Sequence, residues 1–278
     1  MICYNGEFIK RKSINIDNRG LKYGDCFFET IKCFQGKPLF WEDHYFRMAS
    51  SFGMLNMIPP SDFSIENFKT LINSLLAKLG LNIYSARIRI LFYRNGSGYY
   101  KPNNNNVDYI ISAQHLDNYQ YKSIDQGLNI GIYKENNISS GPLSTIKSNN
   151  RLINVLASIY SEEHGLDDCI LINENKMIAE TTLGNIFIVY KNKLLTPPLC
   201  DGCIDGVLRK NIIALKDFSI QEKSLSFLDV LNAEEVFTTN VIKGVSWVLK
   251  CNNKIYKKNY SVNIINSINK KFFNLNEN

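Results

Sequence analysis

The sequence predicts a mixed fold, part α+β and part α/β, built as two domains. Three observations point there. The chain has 278 residues, more than a single hydrophobic core usually organises. It is 45% apolar and 21% charged, a balance that builds packed cores and excludes a disordered chain. Stretches of period-2 alternation and stretches of helical periodicity interleave along its length with no internal repeat, which favours sheets covered by helices.

The elements follow in order. Residues 1–10 read as a short strand and turn and 27–34 as a longer strand, with Gly36-Lys37-Pro38 turning the chain toward Leu39-Phe40. A helix is predicted over 42–52, closed by Gly53 as its C-terminal cap. A second covers 62–79, with Phe68, Leu71, Ile72, Leu75, Leu76 and Leu79 on one face and Gly80 beyond it. Residues 86–92 alternate as a strand with one basic face, 95–98 form a loop, and 109–113 form a further strand. From His115 to Gln126 the chain turns polar and aperiodic, so the domain link is placed at 115–126, between domains 1–114 and 127–278. The Asn run at 103–106 reads as a solvated loop tip.

In the second part, strands are predicted at 128–133, 169–173, 185–189 and 235–239. A helix over 151–164 carries Leu152, Val155, Leu156, Ile159 and Tyr160 as its core face and stops at Gly165. Another covers 205–215, with Asp205 as its N-cap. Two such domains leave a cleft between them.

Several function classes drop out. No run of about 18 uncharged apolar residues occurs, so no membrane span is expected. Met1-Ile2-Cys3-Tyr4-Asn5-Gly6 lacks a basic region followed by an apolar block, so no signal peptide is expected. Seven scattered cysteines do not make a disulfide framework and fit a reducing cytoplasm. The net charge of +6 is mild and its lysines are dispersed, unlike the basic stripe of a nucleic-acid binder. It suits small anionic molecules. Cys200 and Cys203 have metal-like spacing, but no second pair or nearby His follows, so no metal site is expected. His44, His115 and His164 read as structural, and Gly96-Ser97-Gly98 is too short for a nucleotide loop.

One constellation carries chemistry. Lys147 lies between a Gly-Pro turn and the 151–164 helix, placed where strand end and cleft could desolvate an amine. Glu180 follows Met177-Ile178-Ala179 and sits on a strand or strand end, where it could pair with a ring nitrogen. Gly206-Val207-Leu208-Arg209 opens a helix, whose free N–H groups favour a phosphate. An amine, an acid and an anion cradle are the parts that a pyridoxal phosphate site requires.

Longer motifs surround these residues. They are Tyr23-Gly24-Asp25-Cys26-Phe27-Phe28-Glu29-Thr30-Ile31, Gly36-Lys37-Pro38-Leu39-Phe40, His44-x-x-Arg47-Met48 and Ile146-Lys147-Ser148-Asn149-Asn150-Arg151-Leu152. Then come Glu180-x-x-x-x-Asn185-Ile186-Phe187, Thr196-Pro197, Gly202-x-x-x-Gly206-Val207-Leu208-Arg209 and Glu235-Val236-Phe237-x-Thr239-Asn240. In this order and spacing, from Tyr23 to about Val248, the chain resembles the class IV aminotransferase family of pyridoxal phosphate enzymes.

The resemblance implies the two-domain fold type IV architecture, with a smaller N-terminal α/β domain, a larger C-terminal domain and the cofactor, pyridoxal 5'-phosphate, in the cleft. It implies that Lys147 forms the Schiff base with the cofactor aldehyde and that Glu180 pairs with the pyridine nitrogen. Arg47 would bind the phosphate with its planar fork, joined by the N–H groups of Val207 and Leu208. The turn Asn240-Val241 would touch the phosphate too. Where relatives use a Thr hydroxyl this chain has Val241, so its N–H alone serves there, with the Asn240 side chain as a further donor. A homodimer acting on a small-molecule substrate is implied, with Phe28, Thr30 and Tyr100 as candidates to line the substrate pocket.

Three features select a branch. Lys147 is followed by Asn150-Arg151-Leu152, similar to the lyases, and Leu152 stands where branched-chain enzymes usually place Tyr. Arg94-Asn95-Gly96-Ser97-Gly98-Tyr99-Tyr100-Lys101-Pro102 lacks the Tyr-x-x-Gly-x-Arg motif of branched-chain enzymes and the Arg-x-His pair of D-amino-acid enzymes. Thr239-Asn240 also looks lyase-like. The branch resembled is the aminodeoxychorismate lyases, which release 4-aminobenzoate and pyruvate for folate synthesis. The alternative is an aminotransferase for D-amino or branched-chain amino acids.

Overall fold

The structure is a computed structural model that describes residues 1–273 apart from 12, 119 and 124. The chain divides into two compact units. One is Met1–Tyr119 with Ile146–Asn150; the other is Gln120–Thr145 with Arg151–Asn278. The expected link at 115–126 includes residues 119 and 124, and the expected C-terminal domain includes 274–278, all outside the described residues. The short segment 146–150, which the division at 127 counts with the C-terminal domain, packs with the first unit.

The first unit contains β1 (Ile2–Tyr4), β2 (Glu7–Ile9), α1 (Arg19–Tyr23), β3 (Cys26–Phe34), β4 (Lys37–Pro38), α2 (Trp41–Met54), α3 (Ile65–Lys78), β5 (Ser85–Arg94) and β6 (Val107–Leu116). Its strands make one six-stranded sheet in the order β2-β1-β6-β5-β3-β4. Side chains alternate across a strand, so β3 sends Phe27, Ile31 and Cys33 into a core shared with Met48 and Phe52 of α2 and Phe68, Ile72, Leu75 and Leu76 of α3. Phe28, Thr30 and Lys32 take the other side of the strand. Aromatic rings knit this core together: Phe27 stacks on Phe92 and meets Phe52 edge-on, each at 5.0 Å between centroids.

Both helices run close to their predicted bounds. Ser64 caps α3, its hydroxyl accepting from the N–H of Asn67 at 3.1 Å. Gly53 does not cap α2, contrary to expectation. The helix runs through it to Met54, because Leu55 takes the closing bonds at an ordinary negative φ.

The second unit contains β7 (Leu128–Ile138), α4 (Leu152–Glu163), β8 (Asp168–Asn173), β9 (Ile178–Thr181), β10 (Asn185–Tyr190), β11 (Lys193–Thr196) and α5 (Val207–Ile213). It continues with β12 (Ile220–Glu222), α6 (Phe227–Leu231), β13 (Glu235–Asn240), β14 (Gly244–Cys251), β15 (Lys254–Ile255) and α7 (Tyr260–Phe273). The nine strands form one sheet in the order β12-β11-β10-β13-β14-β7-β8-β9, with β15 paired to β14. β7 runs parallel to β8 and β14, while β8–β9, β10–β13 and β13–β14 are antiparallel, so the sheet is mixed. One core gathers Ile170, Ile172, Ile186, Ile188, Val236 and Val248. A smaller one sets Tyr133, Cys169 and Leu171 against Ala157 of α4.

Two expectations are corrected here. Four of the five residues predicted as the core face of α4 are exposed: Leu152 is 70%, Val155 52%, Leu156 39% and Ile159 47% accessible. Of that face Tyr160 does pack on the core, together with Ile153 and Ala157, and Ser161 is buried with Ala157. And α5 begins two residues later than expected, with Gly206 rather than Asp205 at its N-cap. The N–H of Asp205 donates to the carbonyl of Thr145, which keeps that residue outside the helix.

Candidate active site

In the first unit the Lys147 segment lies along the start of β3. The Phe28 N–H donates to the Lys147 carbonyl at 2.9 Å, the Asn149 N–H donates to the Cys26 carbonyl at 3.3 Å, and Ile146 is buried in the unit's core. The segment is thus a strand-like edge without being a full strand. Gly24 makes room for it. Gly24 has a positive φ of 63° and a side chain there would meet Asn150 Oδ1 at 2.2 Å, so only glycine meets both demands.

The backbone pairing holds the Lys147 amine over Phe28, with Nζ 4.7 Å from the ring centroid. Arg89 approaches the same ring at 4.1 Å, and in the strand register it stands opposite Thr30. Lys147, Phe28, Thr30 and Arg89 therefore share one neighbourhood. A cavity of about 300 Å³ adjoins the segment, lined among others by Tyr23, Arg94, Tyr100, Ser148 and Asn150. Tyr100 itself is exposed, its ring tilted against Tyr23 at 5.6 Å.

Arg47 projects from α2 to Glu29 of β3. Glu29 Oε2 accepts from Arg47 Nε at 3.0 Å, and Oε1 accepts from Arg47 Nη2. His44 Nδ1 lies 3.0 Å from the same Oε1. Burial alone would raise the Glu29 pKa, but the charges and hydrogen bonds of Arg47 and His44 outweigh it and hold the carboxyl ionised well below the usual range. For His44 burial wins over Glu29 and lowers the pKa, which keeps the ring neutral.

In the second unit Glu180 sits on β9, only 4% exposed, opposite Leu171 of β8. Its Oε2 accepts from the N–H of Ile204 at 2.9 Å, and Arg151 Nη1 lies 3.8 Å from Oε1. Asn185 Nδ2 donates to the carbonyl of Ile204 at 2.9 Å. One residue ahead of α5, Ile204, is therefore held at both its N–H and its carbonyl, by the acid and the amide of the Glu180-x-x-x-x-Asn185 motif. A side chain at Gly206 would meet Asn185 Oδ1 at 1.9 Å. Glycine there leaves the start of α5 open, and Val207 and Leu208 follow it with buried side chains.

At the end of β13, Asn240 spends its side chain on its own turn. Oδ1 accepts from the N–H groups of Ile242 at 3.0 Å and Lys243 at 2.9 Å, while Nδ2 donates to the Leu183 carbonyl at 3.3 Å. The Val241 carbonyl accepts from the Tyr121 hydroxyl at 2.7 Å. Just before this turn, the buried Thr239 hydroxyl has no hydrogen-bond partner among the described residues. It is a ready donor for an anion, one that the sequence reading quoted without assigning it a role.

Each unit offers groups whose chemistry fits a phosphorylated pyridine aldehyde: the first an amine at Lys147, the second a buried acid, an open helix start and an orphaned hydroxyl. The sequence also left Arg151 and Glu29 without roles. Both act on partners distant in the chain, so no local pattern announces them. No group of three or more His, Cys, Asp or Glu side chains able to hold a metal occurs among the described residues. No helix among those residues is long and apolar enough to cross a membrane.

Comparison with known proteins now decides the family. The family model described as amino-transferase class IV matches residues 26–251. The chain belongs to the class IV aminotransferases. It is a pyridoxal-phosphate enzyme of that family. An aminodeoxychorismate lyase of Vibrio harveyi is 27% identical over 252 residues, covering 88% of this chain and 89% of the relative. A probable branched-chain-amino-acid aminotransferase of Thermotoga maritima is 25% identical over 262 residues, covering 91% and 87%. A putative 4-amino-4-deoxychorismate lyase structure from Legionella pneumophila superposes with TM-score 0.85 at 25% identity, over 94% of this chain and 96% of that one. The fold also matches an Escherichia coli branched-chain amino acid aminotransferase, with TM-score 0.87 at 24% identity over 98% and 94%. The mixed two-unit fold expected of the class IV aminotransferases is the fold observed.

Proposed function

We propose that this enzyme is a 4-amino-4-deoxychorismate lyase that forms 4-aminobenzoate and pyruvate for folate synthesis. The observation that carries the reading is the run after the lysine. Asn150-Arg151-Leu152 is lyase-like, and its Arg151 guanidinium stands beside Glu180. The Vibrio harveyi lyase relative, matched over most of both chains, supports the same branch.

When bound, the cofactor supplies an aldehyde for the substrate amine and a ring that accepts carbanion electrons. Lys147 Nζ would hold the cofactor between turnovers. The same Nζ would serve as the positioned base that takes the proton from the amine-bearing carbon of the substrate. Glu180, beside Arg151, would hold a proton on the pyridine nitrogen. Arg47, the N–H groups of Val207, Leu208 and Val241, and the Thr239 hydroxyl would bind the phosphate. The Asn240 side chain shapes the turn that presents Val241. Phe28 and Thr30, with Arg89 beside them, would line the substrate side of Lys147, and Tyr100 would close its margin.

The exposed apolar stripe of α4 supports a homodimer, because a second copy would cover Leu152, Val155, Leu156 and Ile159. Six of the seven free cysteines are buried thiols, which supports a cytoplasmic setting.

A second reading, transamination of D-amino or branched-chain amino acids, is favoured by branched-chain relatives in the same identity range. The test is turnover of aminodeoxychorismate by the cofactor-loaded enzyme without an oxo acid, followed by 4-aminobenzoate fluorescence. A lyase turns over many times. A transaminase stops after one conversion of its cofactor and resumes only when an oxo acid such as 2-oxoglutarate accepts the amino group.

A further inference from the structure

In the first unit, residues 95–106 connect β5 to β6 and turn two tyrosines, Tyr99 and Tyr100, out to solvent. Beneath them lies Arg19 of α1, only 3% exposed. Its Nη1 donates to the carbonyls of Gly98 and Tyr99, and its Nη2 to the carbonyl of Tyr100 at 3.2 Å. Its Nε donates to Asp25 Oδ2 at 2.8 Å, and the guanidinium lies 5.0 Å from the centroid of the Tyr23 ring, which tilts against Tyr100. Asp25 Oδ2 also accepts from Arg94 Nε at 2.9 Å. The Nη groups of Arg94 donate to the carbonyls of Leu55 and Asn56, at the end of α2, and to Asn105 Oδ1. One carboxylate thus ties both ends of the connection to the body of the unit.

Three successive carbonyls converging on one point set like dipoles side by side. A rigid cation that bonds all three offsets that cost, and a planar fork can do so where a single ammonium cannot. Gly98 permits the turn, with φ at 99° and a position where a side chain would meet the Lys101 carbonyl oxygen at 2.5 Å. The clasp bears on the cavity of about 300 Å³ beside the lysine segment. Arg19, Asp25, Tyr100 and Pro102 line it together with Ser148 and Asn150, which follow Lys147, and all of them belong to the first unit. We infer that Arg19 is a positioning residue for the substrate: it fixes residues 98–102 as a rigid wall that presents Tyr100 to this cavity, and so sets how tightly substrate is held beside Lys147. The inference rests on the reading of Tyr100 as the margin of the substrate pocket.

Two variants of the full-length, cofactor-loaded enzyme approach the clasp from opposite sides. Arg19→Lys keeps the charge beside Asp25 and removes the fork; Gly98→Ala leaves Arg19 in place and distorts the turn, and it serves if the first does not fold. Each is measured for kcat and KM with aminodeoxychorismate, or with the amino donor if the enzyme proves a transaminase. The absorbance of the lysine-bound cofactor and the rate of chymotrypsin cleavage after Tyr99 and Tyr100 are followed alongside. The expected result is a KM raised about ten-fold with kcat within about two-fold of wild type, an unchanged absorbance and cleavage at least about ten-fold faster. The two substitutions combined should raise KM no further than either alone. A wild-type KM in a variant whose loop is cut faster overturns the inference, because the clasp is then purely structural. Unchanged cleavage overturns it too, as does a loss of absorbance together with kcat, which marks damage at the lysine. Tyr100→Ala separates the two layers. If it leaves KM intact, the reading of Tyr100 fails and the Arg19 inference falls with it; if it raises KM while both clasp variants keep the wild-type value, only the Arg19 inference fails.

Discussion

Lys147 should be indispensable and Glu180 separable from it. Lys147→Ala is expected to lose the visible absorbance of the lysine-bound cofactor, and an unchanged spectrum would place the bond elsewhere. Glu180→Ala should retain that absorbance and lose at least about 100-fold in turnover; near-normal turnover would remove Glu180 from the chemistry. Lys32 gives a pH test of the same sheet. It is 2% exposed, and burial brings its pKa down to about 8. Between that value and the ordinary value near 10.4, the unfolded chain keeps a proton that the folded chain has released. Stability contributed by this group therefore rises with pH across the window, and its cost is complete below about 8. Lys32→Met should stabilise the protein at pH 7 by up to about 3 kcal/mol, a gain that shrinks toward pH 10. Urea unfolding at both pH values checks this, and an equal gain at each would contradict it. The candidates that the sequence singles out are those whose motif is local, such as Lys147 before Asn150-Arg151 and Glu180 before Asn185. Glu29 was read only as part of a motif, since its partners His44 and Arg47 come from the next helix and no spacing rule links a strand acid to them.

At the scale of elements, α4 is the instructive case. Its periodicity announces an apolar face at Leu152, Val155, Leu156, Ile159 and Tyr160, of which only Tyr160 packs on the core, because a pattern cannot say what covers a face. The sheet takes the neighbouring stripe around Ala157 instead. If a second copy covers the exposed one, Val155→Glu should convert a dimer into a folded monomer. Light scattering with circular dichroism would detect it; an unchanged dimer would move the interface elsewhere. The helix α7 was missed for a different reason. Its asparagines are weak helix formers, and its stability comes from burying Ile264, Ile265, Ile268 and Phe273. Glu235 of β13 also holds its start, accepting from the N–H groups of Asn259, Tyr260 and Ser261 and from the Ser261 hydroxyl. Glu235→Ala strips several partners from one buried carboxylate. It should cost about 2–4 kcal/mol of stability, measured by denaturant unfolding; a cost below about 0.5 kcal/mol would show that α7 does not depend on this anchor.

For the whole molecule, the family was legible because motifs recur in a fixed order from Tyr23 to Val248, and the family match over residues 26–251 agrees. The division of labour was less so. Residues 146–150 join the first unit while the flanking 145 and 151 belong to the second, so the chain hands its lysine to one unit and its Glu180 carboxylate to the other. No composition shift marks that exchange, because five residues cannot carry one. The account stands or falls on which amine holds the cofactor. Borohydride reduction of the loaded enzyme fixes the cofactor to its lysine, and peptide mass mapping then reads the position. The account predicts a phosphopyridoxyl group on Lys147; its recovery on another lysine, above all the buried Lys32, would contradict the site from which every role above is drawn.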